Sequence, residues 1–177
     1  MSLSTLTDER PIHSVDDLVA YLTTGNKTPD QLLIGTEHEK FGWRSQSLKR
    51  PPYVPGGIKH LLERFGQFGW SEILENGVLV GLKRGRATIT IEPGGQLELS
   101  GAPLKNVSET AHEFDEHIRE LSEIRGEWSW SGIGHFPIGQ AEAAPLMPKP
   151  RYKTLESYLR GVGGDGLDMM RQTCTVQ

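Results

Sequence analysis

Glu37 and Glu39 lie in the run Ile34-Gly35-Thr36-Glu37-His38-Glu39-Lys40-Phe41. On a strand, residues i and i+2 share one face, about 6.5–7 Å apart. Glu92 and Glu98 flank the turn Pro93-Gly94-Gly95. If that turn closes a three-residue hairpin, Glu92 faces Gln96 and Thr90 faces Glu98. Parity then places Ile89, Ile91, Leu97 and Leu99 on the core face and Thr88, Thr90, Glu92, Gln96, Glu98 and Ser100 on the other. Four carboxylates on the polar faces of neighbouring strands repel one another unless a cation lies between them. Carboxylate oxygens are the hard ligands that Mg²⁺ and Mn²⁺ prefer. The plain alternative is a solvated hairpin face with unrelated surface glutamates.

The elements that must carry these residues follow from local pattern. Ser14-Val15-Asp16-Asp17 predicts a capped helix start, with Asp17 in the reciprocal position and the helix ending near Gly25. Residues Gln31 to Trp43 read as a strand and Arg44 to Pro55 as a Pro-rich loop. Gly57 to Phe68 has helical spacing, and short strands follow at Val78–Leu82, Ala87–Glu92 and Gln96–Ser100. A long amphipathic helix is predicted from Ser108 to Arg125. A strand over Trp128–Phe136 comes next, then a Pro-rich loop to Arg151, a short helix at Leu155–Leu159, a glycine loop at Gly161–Gly166 and a last strand at Thr173–Gln177. This order predicts an α+β fold on a mostly antiparallel sheet with flanking helices. The chain ends inside a β-rich run, which predicts that it is truncated.

Composition excludes several function classes. The 177 residues are 36 % hydrophobic and 24 % charged, a globular composition. The net charge of −4 argues against nucleic-acid binding by phosphate neutralisation. The single cysteine excludes an internal disulfide framework and a Cys-rich zinc site. No apolar stretch approaches the roughly 20 residues that cross a bilayer. Residues Met1 to His13 include Asp8 and Glu9 and have no apolar core of a secretory signal, so the cytoplasm is the default location.

Other residues invite chemistry less strongly. Gly161-Val162-Gly163-Gly164-Asp165-Gly166 lacks the strand before it and the Lys-Ser/Thr ending of a phosphate loop, and reads as a flexible loop. Lys83, Arg84 and Arg86 read as a solvated basic turn, and His135 as a core histidine. Cys174 alternates with threonines and has no adjacent histidine to make it a nucleophile. The four tryptophans read as core or cleft-wall aromatics.

Two of the motifs carry a family resemblance. Ile34-Gly35-Thr36-Glu37-His38-Glu39-Lys40-Phe41-Gly42 resembles the first metal-ligand strand of glutamate–cysteine ligases of the plant and proteobacterial type. Ile89-Thr90-Ile91-Glu92-Pro93-Gly94-Gly95-Gln96-Leu97-Glu98-Leu99-Ser100-Gly101 resembles their second acidic motif. Met147-Pro148-Lys149-Pro150-Arg151-Tyr152 and Met169-Met170 followed by Thr173-Cys174-Thr175-Val176-Gln177 are similar in the same order.

The resemblance implies a glutamine-synthetase-like ligase fold, with residues 1–177 as the N-terminal part of one catalytic domain that continues past Gln177. It implies ATP as co-substrate, Mg²⁺ or Mn²⁺ as cofactor, and glutamate and cysteine as substrates joined through a γ-glutamyl phosphate in the first step of glutathione synthesis. It implies Glu37, Glu39, Glu92 and Glu98 as metal ligands and Gln177 as a neighbour of the metals or nucleotide. Lys149, Arg151 and Tyr152 are the candidates for holding a substrate carboxylate, as Arg does bidentately. No nucleic-acid or membrane partner is expected. A sister ligase with another amine acceptor, or a non-catalytic metal- or nucleotide-binding fragment, fits the same residues. A glycosidase explains one carboxylate pair and leaves the other without a purpose.

Overall fold

A computed structural model describes residues 10–177; Asp8 and Glu9, used above against a secretory signal, lie outside the described residues. The chain forms two compact units, Met1–Leu33 and Ile34–Gln177. In the first unit, helix α1 spans Val15–Thr23 behind the predicted cap. The Asp17 amide donates to Ser14 Oγ at 3.3 Å and the Ser14 amide to Asp17 Oδ2 at 2.9 Å. A 3-10 turn follows at Pro29–Gln31.

In the second unit, a six-stranded sheet has the order β2-β3-β4-β5-β1-β6, and every pair in it is antiparallel. The strands are β1 (Glu37–Arg44), β2 (Ser71–Glu75), β3 (Val78–Arg84), β4 (Ala87–Ile91), β5 (Leu97–Ser100) and β6 (Trp128–Ser131). The helices are α2 (Ile58–Phe65), α3 (Val107–Ile124), α4 (Pro150–Val162) and α5 (Gly166–Gln172). The expected α+β class and antiparallel sheet are therefore borne out.

The core forms where periodicities agree. Helix α2 buries Ile58, Leu61, Leu62 and Phe65, which recur at helical spacing. Helix α3 adds Leu121 and Ile124, and the sheet supplies Ile89, Ile91, Leu97 and Leu99. Those four sheet residues are the set that parity assigned to the core. Asn106 caps α3, its Oδ1 accepting from the Glu109 amide at 3.0 Å.

Several expectations need correction. The strand placed at Gln31–Trp43 starts only at Glu37, because Leu32 to Ile34 are exposed and Ile34 makes a lone bridge to Leu104. Strand β2 was not anticipated, although its signal is present. Asn76-Gly77 closes a two-residue hairpin between β2 and β3, both residues at positive φ (51° and 78°), as a type I′ turn requires. The short helix at Leu155–Leu159 is the middle of α4, which starts at Pro150 because proline is suited to the first helical turn. Helix α5 starts at the last residue of the predicted glycine loop, Gly166, and occupies residues 167–172, for which the sequence predicts no element. The strand at Trp128–Phe136 stops at Ser131, and His135 is exposed and only bridges Thr173. Residues 173–177 are bridged to β1 without forming a full strand. Arg84 is not a solvated turn residue: it donates to Glu120 Oε1 at 2.5 Å and lies over the Trp70 ring.

Candidate functional site

Register brings the two acidic pairs together. β1 pairs with β5 so that Glu37 stands opposite Ser100 and Glu39 opposite Glu98. β4 pairs with β5 so that Thr88 stands opposite Ser100 and Thr90 opposite Glu98. Residues opposite in an antiparallel pair share a face, so two rows cross the sheet: Glu37–Ser100–Thr88 and Glu39–Glu98–Thr90. Glu92 extends this face at the hairpin end, its amide donating to Gln96 O at 2.8 Å. The other face of β1 turns to the helices, with the His38 ring tilted 34° against Phe114 and Lys40 over the same ring.

This polar face is no solvated hairpin. Glu98 is 3 % exposed and Thr90 2 % exposed. Ser100 Oγ donates to Glu98 Oε1 at 2.5 Å, and the Thr175 amide donates to Glu39 Oε2 at 3.0 Å. Burial pushes the Glu39 carboxyl above its usual range; the Thr175 amide opposes the shift, and the Glu98 and Glu37 charges add to it. Burial raises Glu92 as well, and the neighbouring Glu98 raises it further. Glu92 Oε1 and Thr90 Oγ1 are buried without a hydrogen-bond partner. Such atoms in a native fold mark a missing ligand group or water.

The remaining candidates gather around the same hairpin. Lys149, 3 % exposed, donates from Nζ to Ile91 O at 2.7 Å, and the Tyr152 hydroxyl donates to that same carbonyl at 2.6 Å. Both side chains thus brace the residue before Glu92. Arg151 is exposed at the start of α4, with its guanidinium over the Tyr152 ring. Gln177 pairs with Glu37 through the main chain, donating at 2.9 Å and accepting at 2.8 Å. All eight sequence-predicted residues therefore lie on or beside the acidic hairpin and β1. Burial pushes the Cys174 thiol up to about 12, which leaves no thiolate for nucleophilic work near neutral pH.

The donor set on this face is carboxylate and hydroxyl oxygen, the chemistry of a hard divalent cation. Among the described residues no three His, Cys, Asp or Glu side chains form a group able to hold a metal ion. Mg²⁺ rarely uses an all-protein cage; it is commonly held by one or two carboxylates together with substrate phosphates. The two partnerless buried oxygens and the like-charged rows fit a cation supplied together with a phosphate ligand.

Sequence reasoning missed Thr175, which ties residues 173–177 to Glu39, and Arg50, which sits in the Pro-rich loop. Arg50 has no local pattern that marks it, because its partners are distant in the chain.

The family model described as glutamate–cysteine ligase family 2 matches residues 33–177. The chain is 43 % identical over 165 residues to glutamate–cysteine ligase, chloroplastic, of Arabidopsis thaliana, covering 92 % of this chain and 31 % of the relative. It is 43 % identical over 164 residues to the chloroplastic enzyme of Medicago truncatula, covering 91 % and 32 %. It is 42 % identical over 165 residues to glutamate–cysteine ligase A, chloroplastic, of Oryza sativa subsp. japonica, covering 92 % and 33 %. The chain spans about a third of the length of these curated relatives. Their names also correct the cytoplasmic default: all three relatives are chloroplastic, so the cytoplasm does not stand.

Proposed function

This chain belongs to glutamate–cysteine ligase family 2, and from that premise we propose that its protein joins the γ-carboxylate of glutamate to the amine of cysteine at the expense of ATP. The product, γ-glutamylcysteine, is the first intermediate of glutathione synthesis. The observation that carries the reading is the row Glu39–Glu98–Thr90 with Glu92 beside it, buried and holding oxygens that no protein group satisfies.

In this reading Glu37, Glu39, Glu92 and Glu98 would share two or three Mg²⁺ or Mn²⁺ ions, one or two carboxylates to each, with the ATP phosphates as further ligands. The bound cations would neutralise the ATP phosphates and the charge that develops on the transferring phosphoryl group. The γ-carboxylate of glutamate takes the terminal phosphoryl group and ADP leaves. The amine of cysteine then attacks the acyl carbon, phosphate departs and the amine gives up a proton. Lys149 and Tyr152 fix the Ile91 carbonyl and so the position of Glu92. Arg151, exposed beside them, is placed to grip a substrate carboxylate. Ser100 and the Thr175 amide orient Glu98 and Glu39.

The test is ADP release by the full-length protein with Mg²⁺-ATP and glutamate, with and without cysteine. Cysteine-dependent release supports the reading. Glutamate-dependent release that ignores cysteine assigns another amine acceptor, and no release with any amine overturns the ligase reading.

A further inference from the structure

Arg50 lies in the loop between β1 and α2, yet its guanidinium reaches β1, the hairpin turn and the end of α5 that leads into the segment bearing Thr175. One terminal nitrogen, Nη2, donates to Gly94 O in the hairpin turn at 2.5 Å. The other, Nη1, donates to Arg171 O at 2.7 Å and to Gln172 Oε1 at 3.1 Å, both at the end of α5. Its plane lies over the Phe41 ring of β1 at 4.5 Å and the Phe136 ring at 5.2 Å. Phe41 follows Glu39 by two residues and shares its face of β1.

The neighbours leave little slack. A Cβ at Gly94 would come within 2.5 Å of Arg171 O, so the hairpin turn and α5 meet backbone to backbone. Gln96 stitches the same junction, accepting from the Gly94 amide at 2.9 Å and donating to Thr173 O at 2.8 Å. Arg50's hydrogen-bond acceptors are all neutral: two main-chain carbonyls and one side-chain amide oxygen. A planar fork can hold such acceptors in fixed relative positions, which a lysine ammonium cannot reproduce.

We infer that Arg50 is a positioning residue that sets the spacing between the strand bearing Glu37 and Glu39, the hairpin bearing Glu92 and Glu98, and the segment bearing Thr175. This rests on the metal-binding reading of the acidic face. Supporting groups of this kind set metal affinity without touching the ion.

The experiment titrates Mn²⁺ into the full-length protein saturated with a non-hydrolysable ATP analogue, against the analogue without protein, and follows the electron paramagnetic resonance of free Mn²⁺, with thermal unfolding measured in parallel. Arg50→Met is expected to weaken Mn²⁺ binding about tenfold, and Arg50→Lys to fall between it and the wild type. Leu62→Ala, in the α2 core, is expected to lower the melting temperature and leave the Mn²⁺ affinity unchanged. A wild-type affinity in Arg50→Met overturns the inference alone. If Arg50→Met does not fold, Arg50→Lys decides: a wild-type affinity there overturns the inference. If the wild type with the analogue binds no more Mn²⁺ than the analogue alone, or Glu98→Gln binds as tightly as the wild type, the metal reading fails and takes this inference with it.

Discussion

Glu98 sits between Glu39 and Thr90 on the sheet, close enough to Glu39 and Glu92 to raise the pKa of both. Replacing it with Gln keeps the shape and an acceptor for Ser100 but removes one of the repelling charges. Glu98→Gln is expected to lower kcat of the full-length protein by at least about 10²-fold. In EDTA the same change is expected to raise the melting temperature, a sign that a purely structural glutamate would not give. His117 makes a separate residue-scale prediction. It is 1 % exposed, stacks on Phe65 with the rings 4° from parallel, and has no hydrogen-bond partner at either ring nitrogen. Burial holds its pKa well below the usual value, and the positive Lys40, His38 and Arg84 act in the same direction. Below about pH 6.5 the unfolded chain takes up a proton at His117 that the folded chain refuses, so the His117 contribution to stability falls as pH falls, by about 1.4 kcal/mol per pH unit. Denaturant unfolding at several pH values is expected to show this contribution as the difference in slope between the wild type and His117→Phe, because the raised Glu39 and Glu92 carboxyls and the lowered His38 titrate in both proteins alike. The type and parity of the four glutamates were legible because a period of two is written in the sequence. The orphaned oxygens of Thr90 and Glu92 were not, since burial of a polar face depends on what covers it.

The hairpin β4–β5 is the element on which the acidic face depends, and Gly94 is its tightest point. A methyl group there meets the Arg171 backbone at 2.5 Å for its oxygen and 2.9 Å for its Cα. Gly94→Ala is expected to cost about 2 kcal/mol or more in urea unfolding and to weaken Mn²⁺ binding together with stability. Gly66→Ala, where the added carbon meets nothing within 4 Å, is the matched control and is expected to change neither. The hairpin itself was readable from Pro93-Gly94-Gly95 between alternating strands. The β2–β3 hairpin carries an even stronger signal in Asn76-Gly77, but Ser71–Glu75 alternates too weakly to read as a strand, since its only partly buried members are Ile73 and Glu75. Helix α4 was underestimated for a different reason. Pro150 was read as the end of a loop, whereas a proline at the start of a helix lacks only an N–H that would have no intrahelical partner.

At the scale of the second unit, the sheet order sets β1 between β5 and β6, so residues far apart in sequence become neighbours. Strand pairing of this kind is not encoded in local pattern, which is why the sequence could group the glutamates in two pairs but could not place Glu39 opposite Glu98 without help from a resemblance. If the face takes up a divalent cation, Mg²⁺ at about 100 times its dissociation constant is expected to stabilise the full-length protein by about 2.7 kcal/mol. Thermal unfolding with and without Mg²⁺ measures this, and Glu39→Gln is expected to abolish the shift.

The main-chain bonds between Glu37 and Gln177, and between Glu39 and Thr175, have a consequence for how the chain is made. A ribosome releases β1 early, long before β5 or residues 174–177 exist. Until they emerge, β1 on the nascent chain has two bare edges, the state in which strands find wrong partners. The charges on β1, Glu37 and Glu39 of the later acidic face and Lys40 of the opposite face, then help to keep this strand soluble while it waits. Swapping both glutamates for apolar residues would therefore expose the growing chain to aggregation or to capture by chaperones before any catalytic consequence could be seen.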